Sequence, residues 1–297
     1  MVGVAYFYQR QYWLALSFLA VAGMSMNAIA APKKVLLPEW QAYDESSRVS
    51  VDHGLWQAVL DRYLVTDALS QTYVNYSGLK AEATQQEART QALGKKQPTL
   101  LEEYMGKLLA IDPLTLNRNE QKAYWLNLYN AATVQLMVKH YPVSSITKVG
   151  GGFFSFGPWN DEILTINNQL LSLNDIEHGI LRPIYDDPRI HYGVNCASLS
   201  CPNLLAQAFT ADNTEQLLDQ AARDYINHPR GVSVEAQKVT LSKIYDWYQE
   251  DFNHSANGVL QHVRQYANAE LIAVLDQLNQ PYFRYAYDWQ LNDWLVE

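Results

Sequence analysis

The chain has 297 residues, 48% of them hydrophobic and 18% charged, enough apolar material for one large domain or two small ones, and disorder is excluded. Its 22 Lys and Arg stand against 31 Asp and Glu, a formal charge of -9, so the field of the molecule repels polyphosphate and argues against a nucleic-acid partner. The 20 tyrosines and 8 tryptophans each bury an apolar body and present a polar tip, which suits an aromatic core as well as a glycan- or peptide-binding cleft.

Arg10 is the only charged side chain among the first thirty residues, and the apolar run Trp13 to Gly23 follows it directly. That run is too short to span a bilayer as a helix, and it ends at Ala28-Ile29-Ala30, a small-x-small cleavage site. Residues 1–30 are therefore expected to be a signal peptide, the mature chain to begin at Ala31, and the protein to be periplasmic or secreted. The competing reading is an uncleaved anchor, with the run stretched over Tyr12 to Ile29.

Apolar residues then recur at helical spacing over Val51 to Leu64 and Leu79 to Leu93, and Gly94-Lys-Lys-Gln-Pro98 breaks the chain. A short helix is expected over Leu100 to Ile111. The longest pattern covers Asn119 to Tyr141, with Trp125, Tyr129, Ala132 and Leu136 in one stripe, so this helix should be central. Gly150-Gly-Gly with Phe153 to Trp159 reads as an aromatic loop and lacks the lysine of a phosphate cradle. Asn167-Asn168 should turn a hairpin between Glu162–Ile166 and Gln169–Leu173, and Asn174 with Glu177 has capping-box spacing for a helix ending near Pro183. Arg189 to Val194 reads as a buried strand, Asp212 to Asn227 as a helix, Val232 to Leu241 as a second hairpin, and short helices follow. The expected class is α+β, predominantly helical with a small mixed or antiparallel sheet around a central helix of about 119–141. An N-terminal helical region, 31–103, and an α+β domain, 104–297, should form one globular unit.

Cys196 and Cys201 lie five positions apart in Asn195-Cys-Ala-Ser-Leu-Ser-Cys-Pro202 and would be oxidised outside the cytosol, closing a small loop that contributes about 2 kcal/mol. No second cysteine pair or His-x-x-x-His helix offers further ligands, so neither a metal nor another cofactor is expected. If Cys196 is instead a nucleophile it needs a base, for which His191 is the candidate, with His178 and Asp288 as alternates for base and orienting group. Asn127 and Asn130 sit one turn apart on the aromatic helix and either bind loop backbone or line a pocket, where Asn130 would serve the chemistry. Tyr192, Trp125 and Trp247 are candidate ligand-binding aromatics. Cys196, His191 and the two asparagines are expected to converge on one cleft.

Tyr124-Trp-Leu-Asn-Leu-Tyr-Asn130, Asp175-Ile-Glu-His178, Arg189-Ile-His-Tyr192 leading into Asn195-Cys196 and Ser200-Cys-Pro202, Ser242 to Tyr248 and Tyr287-Asp-Trp289 together resemble the family named domain of unknown function 547. The resemblance covers roughly Tyr104 to Asn292 and implies no reaction. It does imply that Cys196 is the regular member of the pair and Cys201 interchangeable with Ser, which makes a disulfide optional. A more distant similarity, to thiol enzymes of the papain and transglutaminase type, would put Asn127 or Asn130 where those enzymes carry Cys. Two functions follow: an exported cysteine-dependent hydrolase or acyltransferase acting on amide or ester bonds, or a non-catalytic periplasmic binding or interaction domain, for a peptide, protein or glycan, with a structural Cys196–Cys201 disulfide.

Overall fold

The computed structural model describes residues 31–150 and 156–294; the expected signal peptide and most of the Gly150 to Phe154 run lie outside the described residues. Helix α1 (Gly54–Tyr63) buries Trp56, Val59, Leu60 and Tyr63 and leads into a two-stranded antiparallel ribbon, β1 (Leu64–Thr66) with β2 (Thr72–Val74). Asn75 caps α2 (Tyr76–Leu93) by accepting from Gly78 N–H, and Gly94 ends it at φ 62°, a left-handed conformation that suits glycine. Thr99 and Glu102 form a reciprocal capping box at the start of α3 (Leu100–Leu109).

The central helix α4 (Arg118–His140) is buried at every position from Glu120 to Val134, so the aromatic stripe is only one of its packed faces. Around it one core gathers α1, α3 and the Asn167-Asn168 hairpin, β3 (Leu164–Ile166) with β4 (Gln169–Leu171). Both turn asparagines have positive φ, as the tight hairpin requires.

Two local expectations do not hold in the structure. Asn174 makes no side-chain cap; Ser172 and Asp175 exchange bonds instead, and the π-helical segment Asp175–Leu181 runs straight into α5 (Arg182–Tyr185), where Pro183, having no N–H, leaves Gly179 O to accept from Leu37 N–H. This frees Glu177 to point inward. Arg189 to Val194 is not a strand: Ile190–Gly193 is a single helical turn, α6, which packs against α7 (Thr214–Ile226). Its apolar run is buried on all sides, and burial without alternation does not separate a strand from a buried helical turn.

A second core lies between α7, α9 and a three-stranded sheet. β5 (Val232–Glu235) and β6 (Lys238–Ser242) form the second expected hairpin, and β7 (Tyr282–Ala286) joins β6 in parallel, giving the order β5-β6-β7 with β7 at an edge. Between β6 and β7 run α8 (Ile244–Trp247), a 3-10 turn Gln249–Phe252, α9 (Ala256–Tyr266) and α10 (Ala269–Asp276). The architecture is α+β and predominantly helical. No helix of the described residues is long and apolar enough to cross a membrane.

Candidate functional site: a thiol pair beneath an aromatic wall

The loop after α6 is held from three sides. Asn130 on α4 donates to Gly193 O at 2.9 Å and accepts from Asn195 N–H at 2.8 Å, clamping the chain on both sides of Val194. Gly193 fits because its Cα faces Leu218 and Leu126; a Cβ there would meet Leu218 Cδ2 at 2.7 Å. Asn195 then spans the loop, donating to Pro202 O at 2.7 Å and accepting from Ala197 N–H at 3.0 Å. Ala197 takes φ 59°, a left-handed conformation uncommon for a residue with a Cβ. The C-terminal segment runs alongside: Leu199 N–H donates to Gln290 O, Asp288 N–H to Ser200 Oγ and Asn292 N–H to Ala197 O.

This frame sets Cys196 Sγ 2.7 Å from Cys201 Sγ, 3.0 Å from Tyr287 OH and 3.3 Å from Ser198 Oγ. Ser198 also donates to Tyr287 OH at 3.0 Å, and Cys196 N–H donates to Cys201 Sγ at 2.8 Å. Cys196 is half-buried and Cys201 buried. Burial pushes the Cys196 thiol up, but hydrogen bonds with Cys201, Ser198 and Tyr287 outweigh it and bring the group below the ordinary thiol value. Burial, and then the neighbouring Cys196, drive Cys201 well above it.

Neither histidine is hydrogen-bonded to that sulfur. His191, 2% exposed, stacks on Tyr248 with ring centroids 4.4 Å apart and has a carboxylate at each nitrogen: Asp251 at 2.8 Å from Nε2 and Glu177 at 3.6 Å from Nδ1. Arg182 completes a buried charge cluster, with Nε 2.6 Å from Asp251, Nη2 2.7 Å from Glu250 and Nη1 3.0 Å from His178 Nδ1. Burial acts to lower the His191 pKa, yet Asp251 and Glu177 raise it above the ordinary imidazole value. Burial holds His178 neutral, down to about 4. Burial penalises the Glu177 charge, but neighbouring cationic groups bring it to about 2. An extended strap, Pro32 to Leu37, closes this cluster from outside: Arg182 Nη1 donates to Pro32 O, Lys34 reaches Asp251 at 3.2 Å, and Val35 and Leu37 N–H donate to His178 O and Gly179 O.

The remaining candidates separate. Asn127 exchanges two bonds with the backbone of Phe209, at 2.7 and 3.0 Å, and like Asn130 it holds a loop rather than lining a cleft. Trp125 is buried edge-on against Trp40, and Tyr192 has its hydroxyl between Tyr245 OH and His262 Nε2, so both are core. Asp288 is exposed and caps its own turn at Gln290 N–H. Trp247 does reach the site: it lies 4.8 Å from the Tyr287 ring and 5.4 Å from Trp289, and Phe156 and Trp159 extend this aromatic wall from another loop. Sequence reasoning missed Ser198 and Tyr287 at the sulfur, and Asp251, Glu177 and Arg182 at His191. Only Glu177 carried a local signal, which was spent on a cap. No group of His, Cys, Asp and Glu able to hold a metal occurs among the described residues.

Fold and site together define an α+β domain with a thiol pair under an aromatic wall. Residues 113–226 match the family described as Protein of unknown function, DUF547, a segment that contains α4, the Glu177–His178 helix and the cysteine loop. Comparison with curated proteins and with solved structures gives no match.

Proposed function

We propose that this is an exported binding domain that takes an extended peptide segment of a partner protein, and not a thiol hydrolase. One observation carries the second half: the neighbours of Cys196 Sγ are a thiol and two hydroxyls, while both nitrogens of His191 face carboxylates. A thiol that attacks an amide needs a base that takes the thiol proton and, as its conjugate acid, returns it to the leaving amine, and an imidazole stacked and paired on both sides cannot swing to serve it.

The peptide reading rests on β7. Tyr282 N–H donates to Gln237 O and Ala286 O accepts from Lys243 N–H, so residues 282, 284 and 286 pair with β6, and Phe283 and Tyr285 turn their main chain to the open edge. An open edge is a template for a further strand, and this one runs directly into Tyr287 and Trp289 of the wall. In an oxidising compartment a Cys196–Cys201 bridge would keep the loop beside it in place.

Titration of the mature chain with an array of overlapping ten-residue peptides, read by tryptophan fluorescence, tests this. Trp247→Ala should weaken the responding peptide at least about tenfold, and Tyr285→Pro, which removes an outward N–H without touching the β6 ladder, should abolish binding with the circular dichroism unchanged. A response to a soluble oligosaccharide and to no peptide would overturn the reading.

A further inference from the structure

The geometry points to a second activity at the same place: we propose that Cys196 and Cys201 form an exchangeable dithiol–disulfide couple that swaps its bond with cysteines of the bound partner. The proposal deepens the peptide reading, on which it rests only for the identity of the partner.

The pair has the asymmetry that exchange requires. Cys196 is the sulfur open to a partner, and Cys201, 4% exposed, is shielded from one and can react only with Cys196. A hydroxyl relay converges on Cys196 Sγ, Ser198 donating to Tyr287 OH, which stands 3.0 Å from the sulfur, and no carboxylate or imidazole is hydrogen-bonded to it. A Tyr287 hydroxyl polarised in this way stabilises a thiolate at the sulfur that must both attack and leave, which is how a thiol is made reactive without a general base. The lowered Cys196 and raised Cys201 thiols fit the same division of labour. A purely structural bridge has no use for hydroxyls at one sulfur. It also gains nothing from an Ala197 held left-handed beside the bond, where local strain favours opening. Tyr287 follows β7 directly, so a strand laid on the β7 edge would carry its side chains past Cys196.

In the reducing direction the Cys196 thiolate attacks one sulfur of a partner disulfide, forming a mixed disulfide and expelling the second partner sulfur as thiolate. Cys201 gives its proton to that thiolate and attacks Cys196 Sγ. The intramolecular bond forms and the first partner sulfur leaves as thiolate, taking the proton that Cys196 had lost to solvent. Two electrons pass from the pair to the partner. In the oxidising direction a partner thiolate attacks Cys196 Sγ and Cys201 leaves, its charge received by the Cys196 N–H 2.8 Å away; a second partner thiolate then attacks the partner sulfur of the mixed disulfide and expels Cys196 as thiolate, the two partner protons passing to Cys201 and Cys196 and two electrons to the pair.

The test uses the folded mature chain without denaturant. Dithiothreitol should open the bridge, and glutathione disulfide should close it again with no lasting adduct. In Cys201→Ser the same reagent should leave glutathione trapped on Cys196, seen by mass spectrometry. Tyr287→Phe should move the pH midpoint of Cys196 alkylation upward and slow exchange about threefold to tenfold at neutral pH, a change that loss of a merely structural contact would not produce. A bridge that resists dithiothreitol until the protein unfolds overturns the proposal and leaves peptide binding standing. A Cys201→Ser protein that takes up no glutathione while its circular dichroism is native overturns it as well. Exchange that proceeds normally in a protein that binds no peptide overturns the proposed partner.

Discussion

Asn130 shows how a polar residue on a buried helix is explained by the backbone it serves. Its amide answers one carbonyl and one N–H of the thiol loop, groups that would otherwise be buried unpaired. Asn130→Ala should therefore cost about 2 to 3 kcal/mol in urea unfolding, and a variant of undiminished stability would point to a chemical role instead. Gly193 acts through space alone. Gly193→Ala should cost about 1 to 3 kcal/mol, since its Cβ would meet Leu218 and Leu126, both fixed in the core; an unchanged urea midpoint would show that the site can relax.

The strap and the π-helical segment depend on each other. Pro32 to Leu37 adds its main chain to the carbonyls of His178 and Gly179, and Leu37 lies so close to Gly179 that a Cβ there would sit 2.7 Å from Leu37 Cδ1. Gly179→Ala should displace the strap and destabilise the protein by about 1 to 2 kcal/mol. Combined with Leu37→Ala it should cost less than the two single losses together, because the clash is removed. Strict additivity in urea melts would mean that the strap does not bear on the helix. The strap also has a charge role, since Lys34 supplies a cation to Asp251 at the edge of the cluster.

The molecule as a whole should be most stable near neutral pH. Burial, the largest cause in each case, lowers His53, His178 and His262 to about 4. The unfolded chain takes up their protons below about 6.5 while the folded chain does not, so stability falls as pH drops from there towards 4. The lowered Glu177 and Asp251 extend that loss further into acid. His191 has the opposite sign: its folded pKa is raised, so the stability it contributes is fully present below about 6.5 and is lost as pH rises through the folded value. Urea midpoints across this range should trace a dome, and His191→Gln should flatten its alkaline side whatever its own cost. An unaltered alkaline limb would show that His191 does not titrate.

Most of the helices and two of the three hairpins were legible in the chain because their causes are local. Thr99 and Glu102 sit three residues apart, Asn167 and Asn168 are neighbours, and Gly94 directly follows its helix, so short-range sterics and hydrogen bonds decide each case. The thiol loop was legible as a loop for the same reason, from the spacing of Cys196 and Cys201. Which base or donor stands at the sulfur was not. Proximity in sequence nominated His191, yet a helical turn in place of a strand and two distant carboxylates claim that ring, one of them Asp251, sixty residues on. Tyr287 reaches the sulfur across ninety-one residues, carried there by a parallel strand and a C-terminal segment that no local pattern announces. The sequence by itself determined most of the helices, two of the three hairpins, the α+β class and the pair of cysteines. Only the tertiary structure decided which side chains surround them, because those contacts are set by how one core packs around α4 and the other between α7, α9 and the sheet, and by where the C-terminal segment is pinned, and none of this leaves a trace at short range.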